Sequence, residues 1–225
     1  MDVGGTLLRT ARPVADIYLE LGRQCGVAKT QEEISAGFKR AWSAWPADRL
    51  RYVGDGRPFW CSVVREASGC GSDEYFEAVY RYYERPDAWT IAEGAGPALA
   101  QLRGAGIKLA IVSNWDNRLR RTLEAVGCLS WFDAVVISAE VGAEKPDKAI
   151  FERALAALSG PASVEPLLPS QCLVVGDEII ADCDGARRSG MEACLFGKSA
   201  ADAPPGAHSA ASFEDVRRLV LGPSA

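Results

Sequence analysis

The apolar positions of this chain fall into two regimes that meet near residue 90. From Ala92 onward, short continuous apolar runs alternate with stretches of helical period. Leu99 and Leu102 mark a helix ended by Gly104 and Gly106, and residues 107–112 then form an apolar run bounded by polar residues. Leu119, Leu123 and Val126 give a helical stripe closed by Gly127, followed by a strand over 134–137. Pro146 is expected in the first turn of a helix running through Ile150, Phe151 and Leu155. Further strands are expected over 172–175 and 192–196. Continuous apolar strands alternating with helices predict an α/β fold with a parallel sheet covered on both faces.

Residues from about 12 to 90 follow a different pattern. Val14, Ile17, Tyr18 and Leu21 make one helical stripe; Ile34, Phe38 and Trp42 make a second. Phe59, Trp60, Val63 and Val64 suggest a third, and Phe76, Val79, Tyr80 and Tyr83 a fourth. This reads as an all-helical insertion whose aromatics form its core. Residues 200–211 are rich in Ala and Pro and read as a mobile loop, with His208 a loop residue of no catalytic role.

Composition narrows the classes. The 225 residues are 48% hydrophobic and 24% charged, enough for one good core and a smaller satellite. A formal net charge of −5 gives no nucleic-acid footprint. No apolar run approaches the ~20 residues of a membrane span, and residues 1–15 lack a basic start followed by an apolar stretch. Seven scattered cysteines without a C-x-x-C pair fit free thiols in a reducing cytoplasm or organelle interior rather than a secreted protein. With a single histidine, Ser-His-Asp, Cys-His and multi-histidine metal mechanisms have little to work with.

Four short segments carry the candidate chemistry: residues 2–6 (Asp-Val-Gly-Gly-Thr), Ser113 with Asn114, Lys145 with Pro146, and Gly176 with Asp177, followed by Asp182. Each falls where a buried strand would end, the place where ligands sit in such sheets. Asp2 is the candidate nucleophile, because a carboxylate can accept a phosphoryl group as an acyl phosphate that water later clears. Thr6, Ser113, Asn114 and Lys145 are the candidate substrate-binding residues, offering donors and a cation to phosphoryl oxygens, and Ser113 and Lys145 join Asp2 as catalytic candidates. Asp2, Asp177 and a main-chain carbonyl of the first loop, assigned to Gly4, supply the hard oxygen ligands that Mg²⁺ prefers, with Asp182 orienting a metal-bound water from behind. Two lookalikes fail: the segment Gly197-Lys198-Ser199 lacks the upstream glycine of a P-loop, where Glu192 stands, and the Gly94-Ala95-Gly96 segment lacks the third glycine of a dinucleotide fingerprint.

In these motifs the chain resembles the haloacid dehalogenase superfamily of hydrolases over nearly its whole length. Residues 2–9 and 112–116 look most like the eukaryotic group of haloacid dehalogenase-like hydrolase domain-containing proteins. The resemblance implies a Rossmann-like core over 1–11 and 91–225, and a helical cap over 12–90. It places the catalytic Asp at Asp2, the second motif at Ser113, the third at Lys145 and the fourth at Asp177 with Asp182. The expected activity is Mg²⁺-dependent hydrolysis of a small phosphorylated metabolite through an aspartyl phosphate, with the cap controlling access and its loop residues Arg49, Arg51 and Arg57 as possible substrate contacts.

Two departures qualify that expectation. Phosphatases of the superfamily carry a second Asp where this chain has Gly4, and losing such a proton-transfer group costs ~10²–10⁴-fold in rate. Slow phosphatase activity is the first consequence; the alternative is a catalytically impaired member with a binding or regulatory role. Members that cleave carbon–halogen or carbon–phosphorus bonds also lack that Asp, but dehalogenases do not need the metal-binding acid that Asp177 matches, and a phosphonate hydrolase would need a cap lysine, for which Lys39 is the candidate only by default. The second departure is that only Met1 precedes Asp2, where the superfamily has a strand of ~5 residues. The expectation is that this first strand is missing and that Asp2 is consequently poorly held.

Overall fold

The computed structural model describes residues 1–46, 49–159 and 166–223. After the first motif, strand β1 (Leu8–Thr10) leads into the insertion and strand β2 (Trp89–Ile91) leads out of it. The two pair antiparallel with Thr10 opposite Trp89, and bonds from Ala11 N to the Ala88 carbonyl and from Ala92 N to the Leu7 carbonyl extend the ladder. Between them lie helices α1 (Val14–Gly22), α2 (Gln31–Ala44), α3 (Arg57–Ser68) and α4 (Asp73–Tyr82). Each carries one of the anticipated apolar stripes. Thr30 starts α2 with a capping box, its hydroxyl accepting from Glu33 N while the Glu33 carboxylate accepts from Thr30 N. Tyr18, Ile34, Val64 and Tyr75 bury together in one cluster, and Ala41, Tyr52, Phe59 and Val63 in a second.

The remainder is layered. Helix α5 (Ala95–Gly104) precedes β3 (Ala110–Ser113), α6 (Leu119–Ala125) precedes β4 (Ala134–Ile137), and short α7 (Ser138–Val141) precedes α8 (Lys148–Ser159). Then come β5 (Leu173–Gly176), a π-helical turn over Ile179–Asp184, α9 (Gly185–Arg188), β6 (Glu192–Phe196), β7 (His208–Ala210) and α10 (Phe213–Leu221). Strands β3 and β4 are parallel, as are β5, β6 and β7. Met1 and Asp2 join the two groups: Val112 N bonds to the Met1 carbonyl at 2.9 Å, and Asp2 N bonds to the Val175 carbonyl at 2.9 Å.

Side chains along these strands alternate between two faces, as a period of two requires. Ile111, Ile137, Val175 and Cys194 pack with Leu99, Leu123 and Phe213 on one face. Val112, Val136, Val174 and Ala193 pack with Ile150, Phe151 and Ala186 on the other. Helices therefore cover both faces, which is why the strands read as unbroken apolar runs. This is the Rossmann-like core with an inserted helical cap.

Several expectations need correction. The strand expected over 107–112 begins at Ala110, because its parallel partner begins opposite it at Ala134. Pro146 lies ahead of α8 rather than in its first turn: Asp147 accepts from Ala149 N at 2.9 Å and starts the helix after the proline. The stretch 200–211 is not simply a loop, since β7 pairs with β6, and His208 sits in that strand with its Nε2 3.3 Å from Glu192. Asp2 is not poorly held: Met1, its neighbour, is bonded to Ala110 and Val112 while Asp2 itself is bonded to Val175.

Candidate active site

The four segments converge at the carboxyl ends of the parallel strands. Ser113 ends β3 and Asp177 follows β5, while Asp2 sits between them on backbone bonds to the sheet. The Ser113 hydroxyl donates to Asp2 Oδ1 at 3.0 Å, and Lys145 Nζ donates to the same oxygen at 2.7 Å and to Asp182 Oδ1 at 2.6 Å. The second oxygen of Asp182 accepts from Glu178 N at 3.0 Å, a bond made inside the widened turn after β5. Thr6 donates to Asp177 Oδ1 at 3.1 Å. Gly5, at a φ of 80°, lets the first loop pass so close to Asp177 that a Cβ there would collide with the carboxylate.

Burial sets the electrostatics. The side chains of Lys145 and Asp182 are 3% and 1% exposed. Burial works against the Lys145 ammonium, but the paired carboxylates of Asp2 and Asp182 outweigh it and hold its pKa above the ordinary lysine value. Burial, and next the charge of Asp2, pushes Asp177 up to about 6, with the Thr6 hydrogen bond opposing. Asp2, Asp177 and Asp182 each place a carboxylate oxygen within 4.8 Å of the others. Both Asp182 oxygens are already committed, so Asp2 and Asp177 are the pair left to face a cation. Such an oxygen-only donor set fits a hard divalent ion.

From this cluster a cavity of about 700 Å³ extends under the cap helices. Two sets of side-chain contacts, with a backbone bond from Asn117 N to the Gly54 carbonyl at 2.9 Å, hold the cap over it. Glu144 accepts from Arg51 N at 2.6 Å, Tyr52 N at 3.2 Å and Arg51 Nη1 at 3.1 Å. Fully buried Asp116 accepts from Trp60 Nε1 at 2.9 Å and pairs with Arg118, whose guanidinium carbon lies 3.6 Å from the Tyr80 ring centroid.

Residues 1–190 match the family model for haloacid dehalogenase-like hydrolases. The chain belongs to that family. Among curated relatives, this hydrolase is 34% identical to haloacid dehalogenase-like hydrolase domain-containing protein 3 of Bos taurus, over 86% of this chain and 79% of the relative. It is 29% identical to a phosphoserine phosphatase of Thermus thermophilus, over 98% of this chain and 96% of the relative. Among solved structures, L-2-haloacid dehalogenase from Xanthobacter autotrophicus shares the fold, with a TM-score of 0.72 at 21% identity over 99% of this chain and 97% of that one.

Not every candidate of this hydrolase faces the cavity. Asp2, Gly4, Ser113, Asn114, Lys145, Asp177 and Asp182 line it, whereas Thr6 is fully buried behind Asp177. The Asn114 side chain is engaged at both ends with the Lys145 backbone, accepting from its N at 2.7 Å and donating to its carbonyl at 3.0 Å, so it positions the lysine. Of the three cap arginines only Arg51 lines the cavity; Arg49 stacks on Trp45, and Arg57 pairs with Asp55 and Glu77. Lys39 is exposed and does not line the cavity. The aromatics expected to be cap core divide: Tyr18 and Phe59 are buried, but Phe38, Trp42 and Trp60 are only partly so and line the cavity. Glu144 and Asp116 escaped the sequence reading. An acidic residue beside Lys145 and an Asp after Trp115 carry no local mark of a partner on the cap.

Proposed function

We propose that this hydrolase cleaves phosphoric monoesters of small metabolites in a Mg²⁺-dependent reaction with Asp2 as nucleophile. The observation that carries the reading is the convergence of Ser113, Lys145 and the pair Asp177 and Asp182 on one carboxylate. Ser113 and Lys145 both bond to Asp2 Oδ1, which fixes the rotamer and leaves Oδ2 clear of both. An Asp2 oxygen attacks phosphorus, the bond from phosphorus to the leaving oxygen breaks with its electron pair staying on that oxygen, and the alcohol departs once protonated. Water then attacks the acyl phosphate, releasing inorganic phosphate and restoring the carboxylate. Lys145 offsets the negative charge gathered there, and Asp182 keeps its ammonium in place. Asp2, Asp177 and the Gly4 carbonyl would hold Mg²⁺, which supplies charge neutralisation at the phosphoryl oxygens. The first loop folds on bonds to the carbonyls of Val3 and Leu8, in keeping with a Gly4 carbonyl turned to other use.

The relation to a phosphoserine phosphatase supports this reading, and Asp177 favours it over dehalogenation. Gly4 favours a second reading, a binding or regulatory protein of the same fold. The test is turnover of p-nitrophenyl phosphate with Mg²⁺. We expect slow, metal-dependent hydrolysis that falls at least about a thousandfold in Asp2→Asn. No turnover across a broad panel of phosphate esters would leave the binding role.

A further inference from the structure

We propose that the ester taken by this site carries a bulky aryl or aralkyl leaving group, seated in the aromatic cavity beneath the cap. The proposal rests on the phosphatase reading for its phosphoryl end and on the cavity for the rest. About 700 Å³ lies in the range of sites that enclose a whole organic molecule. Phe38, Trp42, Trp60, Trp89 and Trp115 line it while only partly buried, so each packs on its neighbours, as Phe38 stacks on Trp42 and Trp89 meets Trp115, and still presents part of its ring to the cavity. Ile180, at 65% exposed, adds an apolar side chain on the catalytic side.

Several polar groups in the same wall are already paired, although Arg51 Nε and the Tyr83 hydroxyl are buried without a partner among the described residues. Arg51 is tied to Glu144 and lies over Trp42, with 5.5 Å from guanidinium carbon to ring centroid. Arg118 is tied to Asp116 and stacks on Tyr80. The indole N–H of Trp60 is held by Asp116 and that of Trp89 by the Tyr83 carbonyl. A polyhydroxylated leaving group such as a sugar or glycerol would lose its water wherever it lies against these rings, which is unfavourable, whereas an apolar group gains from contact with them.

The test pairs esters whose leaving alcohols differ little in acidity: 2-(1-naphthyl)ethyl phosphate against ethyl phosphate, with glycerol 3-phosphate and glucose 6-phosphate as polar controls. With Mg²⁺, kcat/KM is expected to be at least about thirtyfold higher for the naphthylethyl ester, as apolar burial of that extent implies. In Trp42→Ala that preference should shrink at least about threefold, a ratio that partial misfolding does not alter. Equal or better turnover of the ethyl, glycerol or glucose esters would overturn the proposal while leaving the phosphatase reading intact. If no ester is hydrolysed, the phosphatase reading fails and calorimetry with 2-(1-naphthyl)ethylphosphonate and ethylphosphonate decides. Binding at least tenfold tighter for the naphthyl compound then supports the cavity's role; equal affinities, or no binding, overturn it.

Discussion

Gly4 shows how far one position can set the rate of this site. Its φ is not among the positive ones, and a Cβ built there meets only the Trp115 ring at 3.5 Å, an ordinary contact. The backbone and the space at Cβ therefore admit a side chain. A carboxyl group two residues beyond the nucleophile can pass a proton to the leaving oxygen, and such groups contribute ~10²–10⁴-fold. Gly4→Asp is expected to raise kcat for an alkyl ester such as 2-(1-naphthyl)ethyl phosphate, whose alkoxide leaves poorly unprotonated, at least about tenfold in steady-state assays, the indole neighbour taking part of the benefit. Asp177 gives a second residue-scale prediction. With its pKa raised to about 6, it must lose a proton before it can take a cation, so proton and Mg²⁺ compete below that pH. Calorimetric titration should show Mg²⁺ affinity level above pH 7 and falling up to about tenfold per unit below pH 6. A flat profile from pH 5 to 7.5 would show that Asp177 is ionised across that range or does not bind the cation, and the Mg²⁺ affinity of Asp177→Asn separates the two.

At the scale of elements, the contact of α2 with α3 is set by Gly37. Its Cβ would lie 2.8 Å from Ala67 Cα, a backbone atom that cannot swing aside. Alanine normally stabilises a helix interior by ~1 kcal/mol over glycine, yet here Gly37→Ala should lower the urea midpoint because the helices must part. Elements also show what the chain reveals about itself before folding. The strands at 134–137 and 192–196 were legible to the residue because apolar runs there coincide with pairing. Ile107 and Leu109 extend the apolar run on either side of Lys108 but lie outside β3: Leu109 N bonds to the Asp133 carboxylate, and ladder pairing starts only where β4 does. Strands β1, β2 and β7 are three residues each, too short for any period, and exist because a partner lies alongside. Two of the candidate segments were legible because Ser113 closes β3 and Asp177 follows β5; Lys145, expected at a strand end, lies instead in the loop between α7 and α8. The cavity was not legible: periodicity tells which side of a helix is apolar, but not whether that side meets another helix or open space.

For the whole molecule, cap and core are joined by side chains distant in sequence. Glu144 and Arg51 are 93 positions apart, and Trp60 and Asp116 are 56 apart. Glu144 holds two cap amides and a guanidinium while only 11% exposed, so its bonds are charge-assisted and shielded from water. Glu144→Ala should speed hydrogen exchange at the amides of Arg51 and Tyr52 at least about tenfold, and raise KM for bulky esters as the closed arrangement is populated less. Unchanged exchange at both amides would show that the Asp116 contacts and the Asn117–Gly54 bond keep the cavity covered without Glu144.

The short ladder of β1 and β2 puts Thr10 directly across from Trp89, so nearly eighty residues depart from and return to almost the same point. A tight turn of a few residues can bridge that point, which makes the intervening helices a cassette. Grafting another cassette onto the same two ends should redirect which substrate is accepted while the hydrolysis proposed at the strand ends below carries on unaltered.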